Sequence, residues 1–359
     1  MDLAELLKHA VEHGASDLHL TPMRPPMVRL SGKLLPSGFD TELGPDDTKA
    51  LIYSILTDDQ KAKFEEEHEL DFSIGIPGLS RFRVNVFMQR GCVSGVFRTI
   101  GENIPSCEEL GLTEVVQQLA MLPRGLVLVT GPTGCGKSTT LAAMINLINQ
   151  NKDGHIMTIE DPIEFLHPHI RSTINQRELG SDTYSFARAL KAVLREDPNT
   201  ILVGEMRDLE TIAAALTLAE TGHLVLSTLH TQDAASTVDR IIDVFPPYQQ
   251  EQIRVMLAST LKGVVSQVLL PKADGLGRVA AREIMVVTPA ISAIIREGKT
   301  HQIYSAIQTG ANVGMCTMEK SLADLQLQGL ITEEDALSKA NHPQEIRSLI
   351  ARRPYEKAH

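Results

Sequence analysis

Tryptophan is absent from this sequence, and aromatic residues make up only 4% of it. A surface that stacks unpaired nucleic-acid bases needs several aromatic rings, so no such platform is expected. Cysteines are few: Cys92, Cys107, Cys135 and Cys316, with no CxxC pair. Their scarcity and spacing argue against a zinc module or a disulfide framework and predict free thiols in a reducing compartment. No stretch approaches the ~20 consecutive apolar residues that cross a bilayer. The opening MDLAELLKHAVEHGASDLHL carries an acidic residue at once and no basic segment ahead of an apolar run, so no secretory signal is expected. Positive charge is also in deficit, with 34 Lys and Arg against 45 Asp and Glu and a formal net charge of -11. That balance disfavours a broad, non-specific grip on DNA or anionic lipid. The expected location is cytoplasmic, and peripheral to a membrane at most.

What is present is ordinary globular material: 359 residues, 43% hydrophobic and 22% charged, enough for two domains with real cores. A first block, residues 1–100, opens with an amphipathic helix from Leu3 to His13. Extended segments follow, DLHLTPMRPPMVRLSGKLL, DFSIGI, RFRVNVFMQ and CVSGVFRTI. In the third of these, Phe82, Val84, Val86 and Met88 alternate with Arg81, Arg83 and Asn85, the period of a half-buried strand. This block reads as a small α+β domain. A link, residues 101–112, contains Gly101, Pro105 and Gly111 and breaks the strand pattern. In the second block, residues 113–359, strands and helices alternate: LVLVT, STTLAAMINLINQ, HIMTIE, SFARALKAVLRE, TILVGE, LETIAAALTLAETG, HLVLSTLH. That order predicts an α/β domain with a parallel sheet covered by helices, turning mostly helical after about residue 288.

The strongest chemical signal is Gly131-Pro132-Thr133-Gly134-Cys135-Gly136-Lys137-Ser138, followed by Thr139. It fits GxxxxGK[ST] at every fixed position, with an apolar strand before it and a helix after it. Glycines let the backbone curl so that several N–H groups face phosphate oxygens, and the helix start adds its positive dipole end. Lys137 would supply a point charge to the β and γ phosphates of ATP, and Ser138 a ligand to Mg²⁺. Hydrolysis also needs carboxylates at strand ends near the loop. Glu205, closing TILVGE, is the candidate to hold Mg²⁺. Glu164, past the turn that Pro162 forces, is the candidate general base. His223 and His230 frame the strand LVLSTL seven residues apart, an odd separation that puts them on opposite faces and argues against a shared metal. Their residues alone leave a structural role and a role in sensing the γ-phosphate, or in coupling to a neighbouring subunit, equally open.

GPTGCGKSTT, TIEDPIEF, LREDPNTILVGEMRD and TGHLVLSTLHT, in this order, resemble the Walker A motif, Asp box, Walker B motif and His box of the ATPases that power type II secretion and type IV pili. The resemblance extends over nearly the whole chain. Within that family it is closest to retraction motors, on three grounds. No extra domain precedes the first block. LLPKADG (269–275) stands where assembly and secretion ATPases carry a four-cysteine zinc insertion. AISAIIRE (290–297) resembles the retraction motors' AIRNLIRE segment, with Ser292 for Arg and Ala293 for Asn. YSAIQTG (304–310) and GMCTMEKSL (314–322) also match that type. The resemblance implies a PAS-like N-terminal domain and a RecA-like P-loop ATPase domain, assembled as a homohexamer. It implies an inner-membrane pilus platform protein as partner, a possible second retraction ATPase beside it, and no specific nucleic acid. It further implies that Arg83 and Arg98 reach the phosphates, with Arg195 a weaker candidate, and that Cys135 replaces a small hydroxyl residue. The alternatives are an assembly or secretion ATPase, a non-hydrolysing accessory subunit, and a nucleic-acid translocase.

Overall fold

Apolar residues at every second position build the sheet of the first of two units. The computed structural model describes all residues except 1, 31, 101, 102 and 357–359, with side chains described to residue 351. The chain divides into a unit of residues 1–103 with 164–166, and a unit of residues 104–163 with 167–359.

The first unit contains α1 (Leu3–Glu12), β1 (Asp17–Leu20), β2 (Met27–Leu30), β3 (Lys33–Pro36), α2 (Pro45–Tyr53), α3 (Asp58–Glu67), β4 (Glu69–Ile76), β5 (Ser80–Gln89) and β6 (Cys92–Ile100). The strands form one antiparallel sheet in the order β3-β2-β1-β6-β5-β4. Phe82, Val84 and Val86 of β5 face a core shared with Phe97, Leu18 and the Leu3, Leu6 and Leu7 stripe of α1. The sequence pattern does not reveal α2 and α3. Among their residues only Thr48, Ile52 and Phe64 are buried, too few to make an apolar stripe.

The second unit begins with α4 (Glu114–Ala120), β7 (Gly125–Thr130), α5 (Lys137–Asn151), β8 (His155–Glu160), β9 (Thr173–Glu178) and α6 (Phe186–Val193). It continues with β10 (Thr200–Val203), α7 (Leu209–Glu220), β11 (Leu224–Leu229), α8 (Ala234–Asp243), α9 (Pro247–Thr260), β12 (Leu261–Pro271) and β13 (Arg278–Val286). Among the described residues the remainder forms α10 (Pro289–Arg296), α11 (Ile303–Thr309), α12 (Met318–Leu327), α13 (Glu333–Ser338) and α14 (Pro343–Glu356), with two short 3-10 turns.

The sheet order is β13-β12-β7-β11-β10-β8-β9. Every pairing is parallel except that of the edge strand β13, which runs antiparallel to β12, so the expected parallel sheet is a mixed one. Strand β7 is buried on both sides. Leu126 and Leu128 enter one apolar cluster, Val127 and Val129 the other, as the strand period requires. Of the segment expected to link the two blocks, residues 101 and 102 lie outside the described residues. Beyond them, Ser106 and Glu109 bond reciprocally, at 2.7 and 3.1 Å, ahead of α4. Among the described residues, no helix is long and apolar enough to cross a membrane.

Candidate nucleotide site

The loop that joins β7 to α5 is held from below by the neighbouring strand β12. The Thr130 hydroxyl donates to the Ser266 hydroxyl at 2.8 Å. At Gly131 the backbone turns to φ 138°, and a Cβ there would meet the Gln267 carbonyl oxygen at 2.2 Å, so only glycine fits. Gly136, at φ 88°, is the cap from which α5 starts at Lys137. Gln267 is the floor of the loop. Its side chain is buried, its Nε2 donates to the Cys135 carbonyl at 2.7 Å, and its Oε1 accepts from the Thr140 hydroxyl at 3.0 Å. The Cys135 thiol is buried beneath the same loop, and burial pushes its pKa up, which suits a packing role rather than a reactive one. Pro132, Thr133 and Gly134 are exposed at the tip.

Gln267→Leu is expected to leave the Cys135 carbonyl and the Thr140 hydroxyl unpaired in the interior, at a cost of ~1–3 kcal/mol. The loop should loosen, and binding of a fluorescent ADP analogue should weaken about tenfold, equivalent to ~1.4 kcal/mol. Affinity equal to that of the unsubstituted chain in a folded variant would show that Gln267 does not shape the loop.

A polar cluster faces the loop. The Lys137 ammonium donates to the carbonyls of Gly131 and Pro132, at 2.8 and 3.2 Å, and lies 3.5 Å from His230 Nδ1. With Nδ1 accepting, the imidazole proton sits on Nε2, which faces Glu205 Oε2 at 3.7 Å. Arg207 Nε donates to that same oxygen at 2.8 Å. Burial pulls the Lys137 pKa down, opposed by the nearby Cys135 and Glu205. The strand end that presents Glu205 is fixed on both sides: Gly204 N–H donates to Ile159 carbonyl at 2.8 Å, and the Thr228 hydroxyl donates to Gly204 carbonyl at 2.6 Å. A hydroxyl at Ser138 and a carboxylate at Glu205 are hard oxygen donors of the kind Mg²⁺ takes.

The sheet order refines the expectation about the acidic strand ends: their strands are not adjacent to the loop strand, although Glu205 reaches the cluster through His230. The strand next to β7 on that side is β11, which leads into His230, while β10 and β8 are two and three strands away. At the usual strand spacing that is ~10 and ~14 Å. Glu160, which ends β8, is buried and accepts from the Thr158 hydroxyl at 2.7 Å. Glu164, past the turn, is exposed.

His223 requires a correction. It precedes β11, which runs parallel to β7 with Leu224 opposite Gly125 and Leu229 opposite Thr130. The six residues between the histidines span ~20 Å, so His223 lies at the sheet edge away from the phosphate loop. Its Nδ1 is 3.0 Å from the Leu218 carbonyl at the end of α7. The loop therefore has His230 in its cluster and not His223.

In the first unit, Arg83 and Arg98 are direct cross-strand partners and both are exposed. Arg98 Nε donates at 2.9 Å to Asp17, its partner on the other side. Burial acts to raise the Asp17 pKa, but the Ser16 hydroxyl and Arg98 outweigh it and hold the carboxyl low. Arg195 follows α6 and its N–H donates to the Ala192 carbonyl at 2.9 Å. Sequence reasoning missed Gln267 and Arg207. The only local signal for Arg207 was its place two residues after Glu205.

A family model described as Type II/IV secretion system protein matches residues 71–342. The chain is 53% identical over 344 residues to the Type IV pilus retractation ATPase PilT of Pseudomonas aeruginosa, spanning 96% of this chain and 99% of that one. It is 51% identical over 321 residues to the Twitching motility protein of Neisseria gonorrhoeae, spanning 89% of this chain and 86% of that one. The crystal structure of the pilus retraction motor PilT with bound ADP superposes with a TM-score of 0.91 at 50% identity, over 97% of this chain and 99% of that one.

Proposed function

The chain belongs to the Type II/IV secretion system protein family, and from that premise we propose that it is the ATP-hydrolysing motor of type IV pilus retraction. The observation that carries this reading is the near-complete, 53%-identical alignment with a pilus retraction ATPase. A second feature agrees with it. β12 and β13 are joined by the short turn 272–277, closed by Lys272 N–H on Gly277 carbonyl at 3.1 Å. By the resemblance to this family, that turn stands where assembly and secretion ATPases carry a zinc insertion.

In this reading the loop from Gly131 to Thr139 binds the phosphates of ATP, with Lys137 as its point charge. Ser138 and Glu205 are the residues that would hold Mg²⁺, which when bound neutralises charge on the phosphates. Glu164 orients and deprotonates the attacking water. His230, between Lys137 and Glu205, responds to the state of the γ-phosphate. Arg83 and Arg98 are the candidate guanidinium groups for phosphate oxygens, which a planar, permanently charged fork suits. His223 is reassigned from the phosphates to a boundary between subunits. Hydrolysis drives motion through different affinities of two conformations for ATP and ADP. Six copies form the ring, peripheral to the inner membrane, and turn a platform protein.

Deleting the gene and counting surface pili tests this reading. The deletion is expected to keep its pili, at normal or raised number, and to lose surface motility. A deletion that loses its pili would identify an assembly motor instead.

A further inference from the structure

One buried carboxylate of the second unit lies outside the set of residues that would act on ATP, yet two helices begin on it. Glu283, on β13, is 2% exposed. Its Oε1 accepts at 2.8 Å from the backbone N–H of Ala234, the first residue of α8. The backbone N–H of Met318, the first residue of α12, also faces this carboxylate and acts to lower its pKa. A carboxylate that takes N–H groups from two helix starts is stabilised by both dipoles.

Each helix leads somewhere. α8 begins four residues after His230, and the stretch between is bound to the helix's first turn. Asp233 accepts from Ser236 N–H at 2.7 Å, and the Thr231 and Thr237 hydroxyls are 2.6 Å apart. The start of α12 is fixed to β13 by the reciprocal bonds of Ile284 and Cys316, at 2.8 and 3.1 Å. The second residue of α12, Glu319, is fully buried. It accepts from the N–H groups of Asn341 and His342, at 3.1 and 3.0 Å just ahead of α14, and from the Tyr304 hydroxyl of α11 at 3.0 Å. Burial is the main reason that the Glu283 pKa is pushed up to about 7; the two N–H groups oppose it, and Asp233 and Glu319 add to it.

We propose that Glu283 is a positioning residue: by capping α8 and α12 together it fixes the loop that carries His230 and couples that loop to the C-terminal helices. This rests on the reading of the chain as an ATPase. A glutamine keeps the volume but removes the charge and one of the two acceptor oxygens, so Glu283→Gln weakens the hold on the two helix starts.

The test uses the full chain. In Glu283→Gln, backbone hydrogen exchange is expected to rise about tenfold in peptides covering 230–237 and 316–321, while a peptide covering 131–140 stays unchanged. kcat should fall by roughly tenfold with KM within about twofold, because the phosphate loop and Gln267 are untouched. In the His230→Ala background the same substitution should cost less than about a further twofold in kcat, since both changes remove one function. Exchange that rises equally in the phosphate loop, or losses in kcat that multiply, would overturn the proposal. If the unsubstituted chain does not hydrolyse ATP, the ATPase reading fails by itself, and the exchange pattern still decides whether Glu283 joins the two helices. Should Glu283→Gln not fold, Glu283→Asp, shorter by one methylene, is expected to give the same exchange pattern at smaller amplitude, and uniform exchange there would equally overturn it.

Discussion

Lys137→Ala is expected to lower kcat/KM for ATP by about 10²–10³ and to weaken nucleotide binding in parallel. The ammonium is already partly desolvated: burial pulls its pKa down, and it donates to two loop carbonyls. A charge held in such a place interacts with phosphate oxygens far more strongly than one in water, and removing one preorganised donor of this kind typically costs ~3–4 kcal/mol in the transition state. The cluster behind it would suffer as well, because His230 Nδ1 loses its neighbouring ammonium at 3.5 Å. Phosphate release and binding of a fluorescent ADP analogue give the two readouts. Turnover within tenfold of the unsubstituted chain would show that the loop binds phosphate without its lysine.

Glu164→Gln is expected to separate what Lys137→Ala joins. The substitution keeps shape and removes only the basic oxygen, so nucleotide affinity should stay within about twofold while kcat falls by roughly 10²–10⁴, the usual contribution of a general base. The residue is exposed and lies four positions past the end of β8. Equal losses in affinity and turnover would make Glu164 a binding residue, and the base would have to be sought elsewhere.

The contrast between the two residues follows what the chain makes legible. The phosphate loop is a local object: a six-residue apolar strand, a glycine-rich turn and a helix start, all within about 25 consecutive residues. Its motif is readable because every constraint on it is short-range. Strand β5 is readable for the same reason, since Phe82, Val84 and Val86 face one core and the alternation is complete. Gln267 is different. It bonds to Cys135 and Thr140 from 132 and 127 residues away, and nothing in its own neighbourhood announces that β12 lies beside β7. Strand order is likewise a tertiary fact. Motifs in chain order place Glu164 and Glu205 near the loop, but the sheet inserts β11 and β10 between β7 and β8. The two histidines show the limit most sharply. Spacing separates their faces, whereas the direction of β11 separates them along the strand and sends His223 to the opposite edge. Glu283 had no sequence signal at all, because the groups it caps, Ala234 and Met318, belong to two helices distant in the chain.

The most direct test of the account is to label surface pili fluorescently and watch single fibres in cells whose own gene is deleted and replaced by the unsubstituted gene or by Glu164→Gln. Fibres are expected to extend in both strains but to shorten only in the first. Fibres that shorten at the normal rate with Glu164→Gln, or that never emerge when the gene is deleted, would contradict it.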